Sequence, residues 1–218
     1  MSTGIIEVPG MIALRIIRWT AWALVAVVLF GAGAIALGWL QVEKLGLRAQ
    51  PTVTSSGVPA VGGPFSLINH RGERVTQDTF KGKPTAYFFG FTHCPEVCPT
   101  TLFEMSQHLK ELGQDADRLN VVFVTVDPER DTPELLKTYL ESFDPRIVAL
   151  TGTPEEMAAA AKAFRIGYRK VPTEGGDYMM DHTSSVIVTD AKGDLVSLID
   201  YHEDEATALA KLKKALAL

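Results

Sequence analysis

The stretch Val121-Val122-Phe123-Val124-Thr125-Val126 restricts the fold most, because six consecutive apolar or β-branched residues leave no polar face for water. Strand side chains alternate between faces, so such a run predicts a strand covered on both sides and a sheet with helices packed on it. A helix start follows at Asp131-Thr132-Pro133-Glu134, where a capping side chain precedes a first-turn proline. The same alternation recurs along the chain. Residues 85–89 read as an apolar strand, Leu102, Met105, Leu109 and Leu112 recur at helical spacing, 147–150 read as a strand and 154–164 as an Ala-rich helix. Residues 185–189 and 195–201 flank the turn 190–194 as a hairpin, and 203–218 close the chain as a helix. A smaller hairpin at 65–69 and 74–75, turning through His70-Arg71-Gly72-Glu73, precedes the main sheet. The expected fold is α/β, a mixed sheet flanked by helices in one domain over 64–218.

Ahead of that domain the composition changes. Residues 19–40 form 22 positions without a charge, long enough as a helix to span about 33 Å, close to the hydrocarbon thickness of a bilayer. A cleaved signal peptide competes with this reading, but its apolar region runs only about 7 to 15 residues. The expectation is a tail over 1–18, a single transmembrane anchor over 19–40 and a Pro-, Gly-, Ser- and Thr-rich linker over 41–63. Arg15 and Arg18 are balanced by Lys44 and Arg48, so flanking charge alone sets orientation weakly. The preferred topology places the tail inside and the domain in an oxidising compartment. The N-terminus lacks the Arg- and Ser-rich character of a transit peptide, which favours a bacterial inner membrane and periplasm over a mitochondrial inner membrane. Residues 49–218 carry 17 Lys and Arg against 24 Asp and Glu, a net charge of −7, which argues against nucleic acid as a partner.

Both cysteines of the chain lie in Gly90-Phe91-Thr92-His93-Cys94-Pro95-Glu96-Val97-Cys98-Pro99. A separation of four covers about one helical turn, so both thiols reach one side of the backbone. Pro99 disfavours helical geometry at Cys98, which makes the segment read as an irregular turn leading into the helix. That helix N-terminus favours thiolates. A third ligand candidate, His182, lies 84 positions beyond Cys98 at the entrance to the strand-like 185–189 run. Two thiolates suit Cu(I), an added imidazole keeps Cu(II) accessible, and zinc suits the same donor set chemically. A structural disulfide is the weaker alternative, since closing so short a loop stabilises little. A redox dithiol is the stronger one. His93 reads as part of the loop, His70, His108 and His202 as surface residues, and Met179 and Met180 as packing.

Three separated motifs carry a family resemblance: the cysteine segment 90–99, Val126-Asp127-Pro128-Glu129-Arg130-Asp131-Thr132, and Tyr178-Met179-Met180-Asp181-His182-Thr183. In this order they resemble the Sco/SenC family of membrane-anchored copper proteins, which are thioredoxin-like. The resemblance covers roughly residues 58–202. It implies copper held by Cys94, Cys98 and His182, a role in assembly of cytochrome c oxidase, and contacts with the oxidase's copper-binding subunit and with other copper chaperones or thiol reductants. It makes Asp127 a candidate modulator of thiol chemistry or partner contact, against a turn or capping role. Two other functions rest on the same residues: a thiol:disulfide oxidoreductase using the Cys94–Cys98 pair, and a redox or copper sensor. Thiol oxidoreductases of this fold usually carry two residues between their cysteines and a cis-proline where Asp181-His182-Thr183 stands here.

Overall fold

The computed structural model describes residues 18–29 and 61–217, which belong to two separate units, Met1–Thr52 and Val53–Leu218. In the first, residues 18–29 form a helix, α1, with every side chain exposed. No helix among the described residues is long and apolar enough to cross a membrane. Residues 30–40 of the expected span, the tail up to residue 17 and the linker up to residue 60 lie outside the described residues.

The second unit is built on nine strands and four α-helices among its described residues. A hairpin of β1 (Ser66–Asn69) and β2 (Arg74–Thr76) leads to β3 (Thr85–Gly90), α2 (Val97–Leu112), β4 (Asn120–Thr125), α3 (Pro133–Leu140), β5 (Ile147–Thr151) and α4 (Pro154–Ala163). The chain continues through β6 (Tyr168–Pro172), β7 (Tyr178–His182), β8 (Val186–Thr189), β9 (Leu195–Ile199) and α5 (Glu205–Leu216). Seven strands form one sheet in the order β2-β1-β5-β4-β3-β8-β9, while β6 and β7 form a separate two-stranded sheet. The pairs β3–β4 and β4–β5 are parallel, and β1–β5, β3–β8 and β8–β9 are antiparallel. This is the mixed thioredoxin-like sheet expected from the motif order.

Helices cover both faces of the central strands. Tyr87 and Phe89 point to one face, where their ring centroids lie 4.6 and 5.3 Å from that of Phe164 at the end of α4. Phe88 points to the other, beside its register partner Phe123, and Phe123 packs on Tyr139 of α3 at 5.9 Å. Helix α3 starts on the expected capping chemistry, Thr132 accepting from the Leu135 N–H ahead of Pro133, and α4 starts in a similar way, with Thr153 forming a capping box with Glu156 ahead of Pro154. Helix α2 buries Cys98, Thr101, Leu102, Met105, His108, Leu109 and Leu112 along one stripe. That stripe corrects the surface assignment of His108, which is 4% exposed; position 108 falls one helical turn from Met105 and Leu112.

Candidate metal centre

Helix α2 begins without a side-chain cap, its N-cap residue Glu96 making no such hydrogen bond. The first-turn N–H groups are met instead by sulfur: the Cys98 N–H donates to Cys94 Sγ at 3.4 Å. Cys98 lies inside the first helical turn rather than in an irregular segment before it. Pro99 is accommodated because first-turn N–H groups have no partner within the helix, so a missing one costs nothing there. Gly90 makes room for this packing. A Cβ on Gly90 would lie 2.8 Å from Cys98 Sγ and 2.8 Å from the Phe123 ring, so a close approach of side chains, not backbone conformation, demands glycine.

The two thiols are unequal. Cys98 is fully buried and Cys94 half-buried, and both are free thiols. The hydrogen bond donated by the Cys98 thiol, helped by N–H groups of residues 96–98, pulls the Cys94 thiol down to about 5 against the opposing effect of burial. Donating that bond, together with burial, pushes Cys98 up. The pair therefore loses its first proton as a unit, with the charge resting on the more exposed sulfur. With iodoacetamide, the reduced chain is expected to be modified at Cys94 alone. Its rate constant should change less than about threefold between pH 9 and pH 6.5, where an ordinary thiol of pKa about 8.5 loses about a hundredfold. Because the folded value lies below the unfolded one, this thiolate stabilises the fold fully above about pH 8.5 and the contribution is lost as pH falls through about 5. A rate that drops in parallel with free cysteine would overturn this picture.

His182 ends β7, opposite Tyr168 of β6, so it is carried by a hairpin of its own rather than by the entrance to β8. Its Nε2 lies 3.8 Å from Cys98 Sγ. The other ring nitrogen, Nδ1, is 2.9 Å from the Thr183 carbonyl, which can only accept, so Nδ1 carries a proton and Nε2 is the ring atom turned to the Cys98 sulfur. Phe91 stands perpendicular to the imidazole at a centroid distance of 5.7 Å. On its outer side His182 borders an open cleft with Tyr168, Arg169 and Asp181. Cys94 and His182 thus both reach Cys98. Among the described residues, however, only His108, Glu111 and Glu205 place three donor atoms all within 4.8 Å of one another, so the Cys94 and His182 atoms do not yet meet at a common point. The donor set, two sulfurs and an imidazole, fits a soft or borderline ion. His93 is exposed on the loop beside Thr92, Met180 is buried and Met179 packs against the core.

Two aspartates of the 126–132 motif support the site from behind. Asp131, fully buried, accepts from the Thr92 N–H at 3.1 Å, the Thr92 hydroxyl at 2.5 Å and the Thr125 hydroxyl at 2.5 Å. It fixes the loop that delivers Cys94. Burial pushes its carboxyl up, against the lowering effect of the hydroxyl and N–H donors. Asp131→Ala leaves those donors buried and unpaired, and a loss of about 3 kcal/mol in denaturant unfolding is expected, with Asp131→Asn losing much less. Asp127, 1% exposed, is ion-paired with Arg130 Nε and accepts from the Tyr178 hydroxyl at 2.8 Å. The Arg130 guanidinium also lies 3.8 Å from the Tyr178 ring centroid and donates to the Tyr178 carbonyl at 3.0 Å. Asp127 is therefore enclosed, out of reach of a partner's surface. It ties the end of β4 to the start of β7, the strand that carries His182.

The anchoring role of Asp131 escaped sequence reasoning, because an Asp before Thr-Pro reads as a cap. The β6–β7 hairpin was also missed. Its signal was Gly175-Gly176, both with positive φ in the turn, following a strand too polar to show alternation.

The chain matches the family model described as SCO1/SenC over residues 53–217. It is 42% identical over 130 residues to the mitochondrial SCO1 homolog 1 of Arabidopsis thaliana, a match covering 59% of this chain and 39% of that relative's length. Its fold is similar to that of Bradyrhizobium japonicum ScoI with copper bound, at TM-score 0.67 and 49% identity, covering 72% of this chain and 99% of that one. It is similar too to BsSco, described as a member of the Sco family of cytochrome c oxidase assembly proteins, for which a disulfide switch was identified; the TM-score is 0.59 and the identity 26%, covering 73% of this chain and 95% of that one. With two sulfurs and an imidazole gathered on a thioredoxin-like sheet, and with the match running through nearly all of the folded unit, the chain belongs to the SCO1/SenC family.

Proposed function

We propose that this protein is a membrane-anchored copper metallochaperone, with residues 19–40 as its anchor and the folded domain in the bacterial periplasm. It holds one copper ion as cargo on Cys94, Cys98 and His182 and delivers it to the copper-binding subunit of cytochrome c oxidase during assembly. The observation that carries this reading is the 3.8 Å approach of His182 Nε2 to Cys98 Sγ, in a chain 49% identical to a relative solved with copper bound. Loading requires the reduced dithiol, and forming two thiolate ligands releases protons, so copper uptake is coupled to redox state and pH. Delivery is ligand exchange, with the recipient's thiolates and imidazoles displacing Cys94, Cys98 and His182. Asp127, through Tyr178, and Asp131, through Thr92, hold the two halves of the site in position.

The unequal thiols favour a second reading, a thiol:disulfide oxidoreductase in which the Cys94 thiolate attacks a recipient disulfide and Cys98 resolves the mixed disulfide. Mixing the reduced, copper-loaded chain with the reduced apo copper-binding domain of the oxidase separates the two. Copper should pass to the recipient from the native chain and not from a His182→Ala chain whose dithiol still cycles. Reduction of an oxidised recipient with no copper moved in the first experiment would favour the oxidoreductase.

A further inference from the structure

A second group of metal-binding side chains lies away from the cysteines. His108 on α2, Glu111 one turn further along it and Glu205 in the first turn of α5 place one donor atom each within 4.8 Å of one another. On α2 the spacing of three puts imidazole and carboxylate on one face. Cys98 and His108 are ten residues apart, about 15 Å along the helix, so this cluster is separate from the candidate copper site.

Three observations point to a ligand rather than to a solvated acidic face. His108 is 4% exposed, and its Nδ1 is fully buried with no hydrogen-bond partner, whereas buried polar atoms are ordinarily paired. Glu111 and Glu205, both exposed, have no ion-pair partner among the described residues, although two carboxylates held this close repel one another. A cavity of about 210 Å³ opens beside them, bordered by His108, Glu205, Ser184 and Tyr201, and gives an ion a route to the imidazole.

We infer that His108, Glu111 and Glu205 form a second site for a single divalent transition-metal ion. One imidazole with two carboxylates is a borderline donor set, suited to Zn²⁺ or Cu²⁺ and poorly matched to Ca²⁺ or Mg²⁺, which take oxygen ligands. Three protein ligands leave a coordination position open toward the cavity.

The test uses the full chain carrying Cys94→Ser, Cys98→Ser and His182→Ala, so that it is independent of the proposed copper site. Zn²⁺ alone is titrated calorimetrically into this variant and into the same variant with Glu111→Gln or Glu205→Gln added. Both glutamates are exposed, so these changes leave the fold intact, as unchanged thermal midpoints without metal would verify. The expected result is one Zn²⁺ per chain, with affinity at least about tenfold weaker after either glutamate change, the lower bound seen for lost supporting ligands. No uptake by the triple variant, or one-equivalent uptake unaltered by both glutamate changes, would overturn the inference.

Discussion

A reduced chain carrying Cys98→Ser should bind Cu(I) more than about a hundredfold less tightly than the native chain, since even partners behind a metal ligand cost 10- to 100-fold when removed. Cys98 is the common member of the site: its N–H donates to the Cys94 sulfur at 3.4 Å, and its sulfur lies 3.8 Å from His182 Nε2. A serine hydroxyl keeps the shape and can still donate to Cys94, but it supplies no soft thiolate. Competition against a Cu(I) chelator reads the affinity directly, and His93→Ala provides the comparison, because that exposed imidazole sits on the loop beside Thr92. Equal affinities for the native and Cys98→Ser chains would remove Cys98 from the site.

The second large effect is expected at Gly90. Its replacement by alanine places a methyl group 2.8 Å from Cys98 Sγ and from the Phe123 ring, and both neighbours are fully buried. Neither can swing into solvent, so the sheet and α2 must separate. Overpacking of this kind costs about 1–3 kcal/mol. The same displacement moves the Cys98 sulfur, so weaker copper binding should accompany the lower denaturant midpoint. Gly63→Ala is the control, since its Cβ would meet only the Ala163 methyl at 3.4 Å and should change stability by a few tenths of a kcal/mol. Gly90→Ala with native stability and native copper affinity would mean that the strand and helix are not held this closely.

These effects lie where sequence patterns and tertiary packing meet, which explains how much of the site was legible. The buried run 121–126, the apolar strand 85–89 and the helix start at Thr132-Pro133 each express a local rule, and the fold reproduces them because burial and propensity agree there. Cys94, Cys98 and His182 were picked out by residue chemistry and resemblance, but the approach of His182 to Cys98 depends on β6 and β7, a hairpin whose first strand, Tyr-Arg-Lys-Val-Pro, is mostly exposed and shows no apolar alternation. Asp131 looks like a cap in sequence, and its hydrogen bonds to Thr92, 39 positions away, exist only after β3 and β4 pair. Pro99 argued locally against a helix at Cys98, yet a first-turn position makes that rule lenient. His108 was misplaced because histidines are read as polar, while its position on the α2 stripe buries it.

The measurement that bears most directly on the proposed function is the copper content and visible spectrum of the reduced full chain after copper addition, beside His182→Ala. One copper per chain, with thiolate-to-Cu(II) absorption that disappears in His182→Ala, is the predicted result. A chain that retains no copper while its Cys94–Cys98 pair cycles readily, or one whose copper and spectrum survive His182→Ala unchanged, would contradict the Cys94, Cys98 and His182 site.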